Sequence, residues 1–303
     1  MPDVIVLGDA DAGVYYEVPC LPRPGQNVEA TRTFKQPGGK GANTAAALQT
    51  LGTSTGMLTN IGDDHYGEVA MEGLRKRGVD ISHIEANRGA TNYCIVMLDP
   101  SGEKSLVVVK GVKNYPDTDY VWRHIEYFLS AKHVHAIGLN PPVVTGSLKI
   151  AHEHRLTTSV DFDSAVQGLD ASEMLLGNAT LAFLNERGAQ HLYPGRRLQD
   201  AAAALKMYGP EIVVITRGSQ GAMGYDGRRF VEEPAFALDI QDTSGAGDCF
   251  SAAFVHGYLR GWDWAYNLRF ANAAAALLSL VIGPQEGIPT EDDVKTFLSG
   301  YRN

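Results

Sequence analysis

The sequence predicts an α/β fold on a mostly parallel central sheet, with a small β-sheet lid beside it, and three observations carry that reading. Short, wholly apolar strand-like segments recur with helix-like segments between them, the pattern of a sheet covered on both faces. Two stretches break the alternation with β-branched and aromatic residues about turn-forming prolines and glycines. The last third then turns helical.

Taken in order, "VIVLG" at 4–8 is a continuous apolar strand ending in glycine. Comparable strands are expected near 55–62 and at 133–138, 157–163, 181–185 and 211–218, with helices over 42–51, 66–77, 119–130, 143–155 and 197–207. Between 14 and 36 come "VYYEV", the turn "PCLPRPG" and "EATRTFKQ"; 91–111 reads as a hairpin, "TNYCIVMLD" and "KSLVVVKG" about "PSGE". These make the expected lid, 12–37 and 90–112, with Gly38 and Gly39 supplying its hinge. After the hairpin-like "AMGYDGRRFVEE", helices are expected at 246–260, 263–279 and 290–299. No fixed-period repeat or low-complexity linker divides the 303 residues, so one domain with a lid is expected.

Apolar residues make up 44% of the chain, enough for a substantial core. Against 35 acidic residues stand 26 basic ones, without a long Lys/Arg block, which argues against a nucleic-acid surface and leaves room only for a local anion pocket. The apolar stretch "ANAAAALLSLVI" is too short to span a bilayer. Cys20, Cys94 and Cys249 lie far apart with no zinc spacing and, with no secretory leader in view, read as reduced thiols of a cytoplasmic protein.

The sharpest chemical signal is "DTSGAGDCF" at 242–250. Gly245, Ala246 and Gly247 can turn their amides into a common concavity, and the helix that follows adds its own unpaired amides and positive dipole end, a site for a phosphoryl group made of backbone. Asp248 then sits in the first helical turn, where a carboxylate can orient an attacking alcohol and take its proton. Position alone would make it an ordinary helix-start aspartate; the adjoining turn argues for chemistry. A second cluster, "GGKGAN" at 38–43, also opens a helix. Its glycines suit close helix–sheet packing, Lys40 alone would read as a solvated lysine, and Asn43 can both donate to and accept from a polyol. Other phosphate motifs fail: no glycine-lysine pair is followed by Ser or Thr, and "GDADAG" only approximates a dinucleotide fingerprint.

Together, "GGKGAN" and "DTSGAGDCF" resemble the two signature regions of the ribokinase (PfkB) family of carbohydrate kinases, and the resemblance extends through "PRPG", "TRGSQGAMGY" and "FANAAAALLSLVIGPQEGIP". It implies a three-layer α/β/α body whose lid closes over a small sugar-like acceptor, and ATP-dependent phosphoryl transfer to a hydroxyl, with a primary one expected. By motif match Asp248 is the catalytic base and Gly245, Ala246 and Gly247 the anion hole. Asp11, Gly39, Lys40 and Asn43 fall in the acceptor site. Asn185 falls near the phosphates and Mg2+, Thr216, Gly218 and Gly221 in the nucleotide loop, and Asn272 beside the adenine. Asp242, Ser244 and Gly283 match loops that carry a monovalent cation, so K+ joins ATP and Mg2+ as an implied cofactor.

Two departures stand out. Ribose-specific members carry a second acidic residue where this chain has Gly13, and the family's N-x-x-E reads "NERG", with Gly188 at the glutamate position. The readings left open are a sugar kinase, a nucleoside kinase of the same family with Tyr15, Tyr16 and Phe34 available to stack on a base, and a sugar- or nucleotide-binding sensor without catalysis. The aromatic and aliphatic lid strands also suggest a homodimer through the lid.

Overall fold

Val4 and Val6 pack on one side of the first strand and Ile5 and Leu7 on the other, all fully buried, which is why that strand reads as an unbroken apolar run. The structure is a computed structural model that describes residues 1–101, 104–112, 115–162 and 169–301. Its strands and helices, in chain order, begin β1 (Val4–Leu7), β2 (Asp11–Glu17), β3 (Arg32–Gly38), α1 (Lys40–Thr50), β4 (Thr55–Leu58), β5 (Asn60–Gly62), α2 (His65–Arg77) and β6 (Glu85–Asn87). There follow β7 (Tyr93–Leu98), β8 (Lys104–Val109), α3 (Thr118–Arg123), α4 (Ile125–Leu129), β9 (His133–Ile137), α5 (Pro141–Glu153), β10 (Thr157–Asp161) and α6 (Leu169–Leu176). The chain ends with β11 (Leu181–Asn185), α7 (Glu186–Leu192), α8 (Leu198–Lys206), β12 (Ile212–Thr216), β13 (Ala222–Tyr225), β14 (Phe230–Glu233), α9 (Ala246–Leu259), α10 (Trp264–Leu278) and α11 (Glu291–Gly300).

The main sheet runs β14-β13-β12-β11-β10-β9-β1-β4. From β12 to β4 every pair is parallel, and the β13–β14 hairpin adds an antiparallel edge. One core packs α1, α2, α9 and α10 on one face, and a second packs α3, α5 and α8 on the other, so the body is a three-layer α/β/α sandwich. A separate, smaller sheet, β3-β2-β7-β8, forms where the lid is expected, with β2 and β7 parallel at its centre. The tip of the 91–111 hairpin and the last residue of the strand expected at 157–163 lie outside the described residues.

Three expectations change in detail. The strand near 55–62 splits, because the chain leaves the main sheet after Leu58 and Asn60–Gly62 pairs with β6 in a sheet of its own. The helix at 119–130 breaks at His124 (φ −109°, ψ 22°), whose ring nitrogens are held 3.1 Å from His83 and 3.1 Å from Glu85. The helices α6 and α7 were not expected from the sequence.

Candidate active site

In an open α/β sheet, ligands gather at the carboxyl ends of parallel strands, and here those ends meet the first turns of α1 and α9. A cleft of about 350 Å3, continuous with solvent, is lined there by Lys40, Asp161, Asn185, Thr216, Gly247 and Asp248 among others. Five of these six, all but Asp161, come from the predicted base, anion-hole, acceptor and nucleotide residues, drawn from sequence positions far apart.

Gly245 has φ 74°, and a Cβ on it would lie 2.6 Å from the Pro284 carbonyl oxygen, so the turn into α9 requires glycine. Gly247 differs, since a Cβ there would meet nothing within 4 Å and would project into open space. No side chain caps α9. The concavity is narrower than expected, because the Ala246 amide already donates to the Thr243 carbonyl at 3.3 Å. Among the described residues the amides of Gly247 and Asp248 have no protein acceptor.

Asp248 is 7% exposed and accepts a hydrogen bond from Asn43 Nδ2 at 2.8 Å. Burial raises its carboxyl most, Lys40 draws it back, Asp161 raises it and the Asn43 bond lowers it, leaving it pushed up to about 7. That value suits proton transfer near neutral pH. Lys40, rather than standing in solvent, is half-buried in the cleft wall. Asn43 is turned inward: besides bonding the base, its Oδ1 accepts from Gln285 Nε2 at 3.1 Å. A buried carboxylate needs such a partner, which a polyol would otherwise supply.

Asp11 stands beside this group. Burial, then the charges of Asp9 and Asp248, hold its carboxyl well above the usual range. Burial likewise raises Asp9, although Asp9 Oδ1 accepts from the Gly41 amide at 3.0 Å. Gly39 (φ 92°) makes the turn into α1 and packs on Ala10 and Asp9, while Gly38 ends β3. The space over Gly13 is taken by Tyr15, two residues along the same face, whose ring lies back so that a Cβ at 13 would be 2.6 Å from it. Tyr15 in turn stacks on Phe34 at 5.0 Å and 8°. These two aromatics pack on each other.

On the nucleotide side, Asn185 is exposed and its Oδ1 caps α7 through the Gly188 amide at 2.7 Å. Gly218 (φ 56°) and Gly221 (φ 87°) shape the turn after β12. Gly221 packs on the 233–235 backbone, and Asn272 Nδ2 donates to the Glu233 and Pro234 carbonyls at 3.1 and 3.4 Å, so both organise one segment. Asp161, unmarked in the sequence reading, ends β10 in the cleft wall, and its Oδ2 accepts from Ser251 Oγ at 3.2 Å. A carboxylate at the end of a parallel strand was the available signal. Asp161, Asn185 and Thr216 present oxygen donors of the kind Mg2+ takes together with water and phosphate. Among the described residues no group of three or more His, Cys, Asp and Glu converges to hold a metal by protein alone.

Asp242, Ser244 and Gly283 also meet, but around a side chain. Asp242 Oδ1 accepts from the Ser244 amide (2.9 Å) and hydroxyl (2.8 Å), and Oδ2 from the Gly283 amide (3.0 Å). Lys104 Nζ lies 3.2 Å from the same Oδ1. Burial pushes the Asp242 carboxyl up, yet the Ser244 bonds, the Lys104 charge and the Gly283 amide bring it below its usual value. The residues therefore do not fit a potassium ion at that carboxylate while Lys104 is there.

A model of the pfkB family carbohydrate kinases matches residues 1–291. The chain belongs to this family. Ribokinase of Bacillus subtilis (strain 168) is 30% identical over 300 residues, covering 99% of this chain and 100% of the relative. An ATP-dependent ribose-1-phosphate kinase of Halopiger xanaduensis is 30% identical over 309 residues, covering 99% of each. Among solved structures, Arabidopsis thaliana ribokinase complexed with ribose and ATP superposes with a TM-score of 0.84 at 27% identity over 99% of each chain. Thermotoga maritima ribokinase does so at 0.87 and 22% identity, over 99% of this chain and 100% of that one. As a pfkB-family kinase the chain carries out ATP-dependent phosphoryl transfer to a hydroxyl of a small sugar or nucleoside acceptor. No described helix is long and apolar enough to cross a membrane.

Proposed function

We propose that this kinase phosphorylates a free hydroxyl, primary by preference, on a small sugar-like acceptor, with Asp248 as general base. The observation that carries the reading is a buried carboxylate, pushed up to about 7, one residue after a glycine that faces open space. The acceptor lies among Asp11, Gly39, Lys40 and Asn43, and its hydroxyl replaces Asn43 as a partner of Asp248. As the oxygen attacks phosphorus, its proton passes to the Asp248 carboxylate. The Gly245–Gly247 turn, chiefly through the Gly247 and Asp248 amides, receives the charge on the transferring group, with Lys40 as the local cation. Asn185, Thr216, Gly218, Gly221 and Asn272 form the nucleotide side. Asp161 and Asn185 would hold Mg2+, which when bound would neutralise phosphate charge at a site where Gly188 brings no glutamate. The mutual stacking of Tyr15 and Phe34 favours a sugar over a nucleoside base.

The lid's outer strand β8 exposes Leu106, Val107 and Val108, which supports a homodimer through the lid; sedimentation showing only monomer removes that part. The central test is ADP release from purified protein with MgATP across pentoses, hexoses, sugar phosphates and nucleosides. The proposal expects a free sugar or close analogue as the best acceptor. A nucleoside preferred over every sugar overturns it, and tight ligand binding without product supports a sensor instead.

A further inference from the structure

The loops that match a monovalent-cation site enclose a cation that the chain itself supplies. Lys104 opens β8 in the lid, 138 residues from Asp242, and is 34% exposed at its side chain while the Asp242 side chain is 5% exposed. Its ammonium lies 3.2 Å from Asp242 Oδ1 and donates to Ser244 Oγ at 2.8 Å. Both partners immediately precede the Gly245–Gly247 turn.

Two other lid strands reach the same loops. Gln36 of β3 donates from Nε2 to the Ile282 carbonyl at 3.3 Å and leaves no room for a Cβ on Gly283. Tyr15 of β2 comes near the same loop, where the Ser244 side chain offsets part of the rise that burial and the Asp242 charge give its phenol. Among these three contacts only Lys104 brings charge, and it meets the carboxylate that ties the 242–244 loop to Gly283.

We propose that Lys104 is a positioning residue whose ammonium does the work of a bound monovalent cation, fixing the loop before the anion turn when the lid is seated. A free cation binds that loop with the lid up or down; a cation carried by the lid binds only with it down. The turn that receives the phosphoryl group is thereby shaped by lid closure, which limits transfer to water while the site is open. The inference rests on the reading of Gly245–Gly247 as the anion turn.

The test compares wild type, Lys104→Ala and Lys104→Met in KCl and in tetramethylammonium chloride at equal ionic strength. For wild type the expected kcat is the same in both salts, within about twofold, and each variant loses at least about tenfold in kcat with a smaller change in the KM for acceptor. KCl, unlike tetramethylammonium, restores part of the loss, and it raises the Tm of the variants and not of wild type. Strong K+ activation of wild type, or variants that keep wild-type kcat, would overturn the proposal. So would folded variants whose lost activity and Tm are both indifferent to K+. The melting comparison needs no turnover, so it still decides the Lys104 claim if the reading of Asp248 fails.

Discussion

The helices α1 and α9 both begin behind a positive-φ glycine, Gly39 at 92° and Gly245 at 74°, and neither N-cap residue has a side chain to cap with. Their surroundings differ. At α1 the first turn is already answered by protein: the Gly41 amide donates to Asp9 Oδ1 at 3.0 Å, and the Ala42 amide to the Asp9 carbonyl at 2.9 Å. A Cβ on Gly41 would fall 2.8 Å from backbone atoms of Gly8 and Asp9. At α9 a Cβ on Gly247 would meet nothing within 4 Å, and the Gly247 and Asp248 amides have no protein acceptor among the described residues. Two glycine clusters that look alike in sequence therefore do different work. One lets a helix pack against β1 and its loop; the other opens onto the cleft. The carboxylate of Asp9 closes the first to anions, and nothing acidic caps the second.

That contrast can be broken by substitution. The largest expected effect is Asp248→Asn, which keeps the Asn43 hydrogen bond through its amide oxygen and loses the base, so kcat should fall at least about a hundredfold. Near-normal turnover would remove Asp248 from the mechanism. The same variant has a stability signature. A carboxyl whose folded pKa is raised stabilises the fold only while protonated, so its contribution is full below the unfolded value of 3.8 and lost as pH rises through about 7. Asn escapes that loss, and the melting temperature at pH 8 should rise by roughly 2–4 °C relative to wild type.

The paired glycine variants come next. Gly247→Leu should melt no lower than wild type yet lose at least about tenfold in kcat/KM for ATP, because its side chain enters the anion space. Gly41→Ala should instead lose stability by about 1–3 kcal/mol, seen by denaturant or thermal melting, because its methyl meets backbone. If Gly247→Leu destabilises and Gly41→Ala does not, the two roles are reversed.

The smallest effect is expected at Gly188. A Cβ there would lie 3.4 Å from Asn185 Oδ1 and 3.9 Å from Leu184 Cβ, so a side chain fits. Gly188→Glu should complete a capping box with Asn185, add about 0.5–1 kcal/mol to stability and lower the Mg2+ concentration needed for half-maximal rate by a few-fold. An unchanged Mg2+ requirement would mean that Asp161 already does what the glutamate does elsewhere.

What the sequence disclosed follows from which forces are local. Strand β1 is written in an unbroken apolar run because both sheet faces are covered, and α9 and α10 are long and predominantly apolar. The short α7, seven residues with Gly188 in its first turn, has little periodicity to read and depends on the Asn185 cap and on packing of Ala189 and Leu192. In the site, Asp248 and its glycine turn were legible because base and anion hole are contiguous. Asp161, Gln285 and Lys104 were not, since each matters through a partner 90 or more residues away. Tyr15 could be seen as an aromatic strand residue, but its ring lying over Gly13 depends on Phe34 in the neighbouring strand.

The most direct test of the central claim is the pH dependence of kcat/KM for the acceptor, in wild type and in Asp248→Asn, from about pH 5 to about pH 9. The ionised carboxylate is the active form, so the wild-type rate should climb with pH through an apparent pKa near 7 and level above it. In Asp248→Asn the residual rate should be low and flat across that limb. If the variant retains the same ascending limb, another group is accepting the proton and Asp248 is not the base.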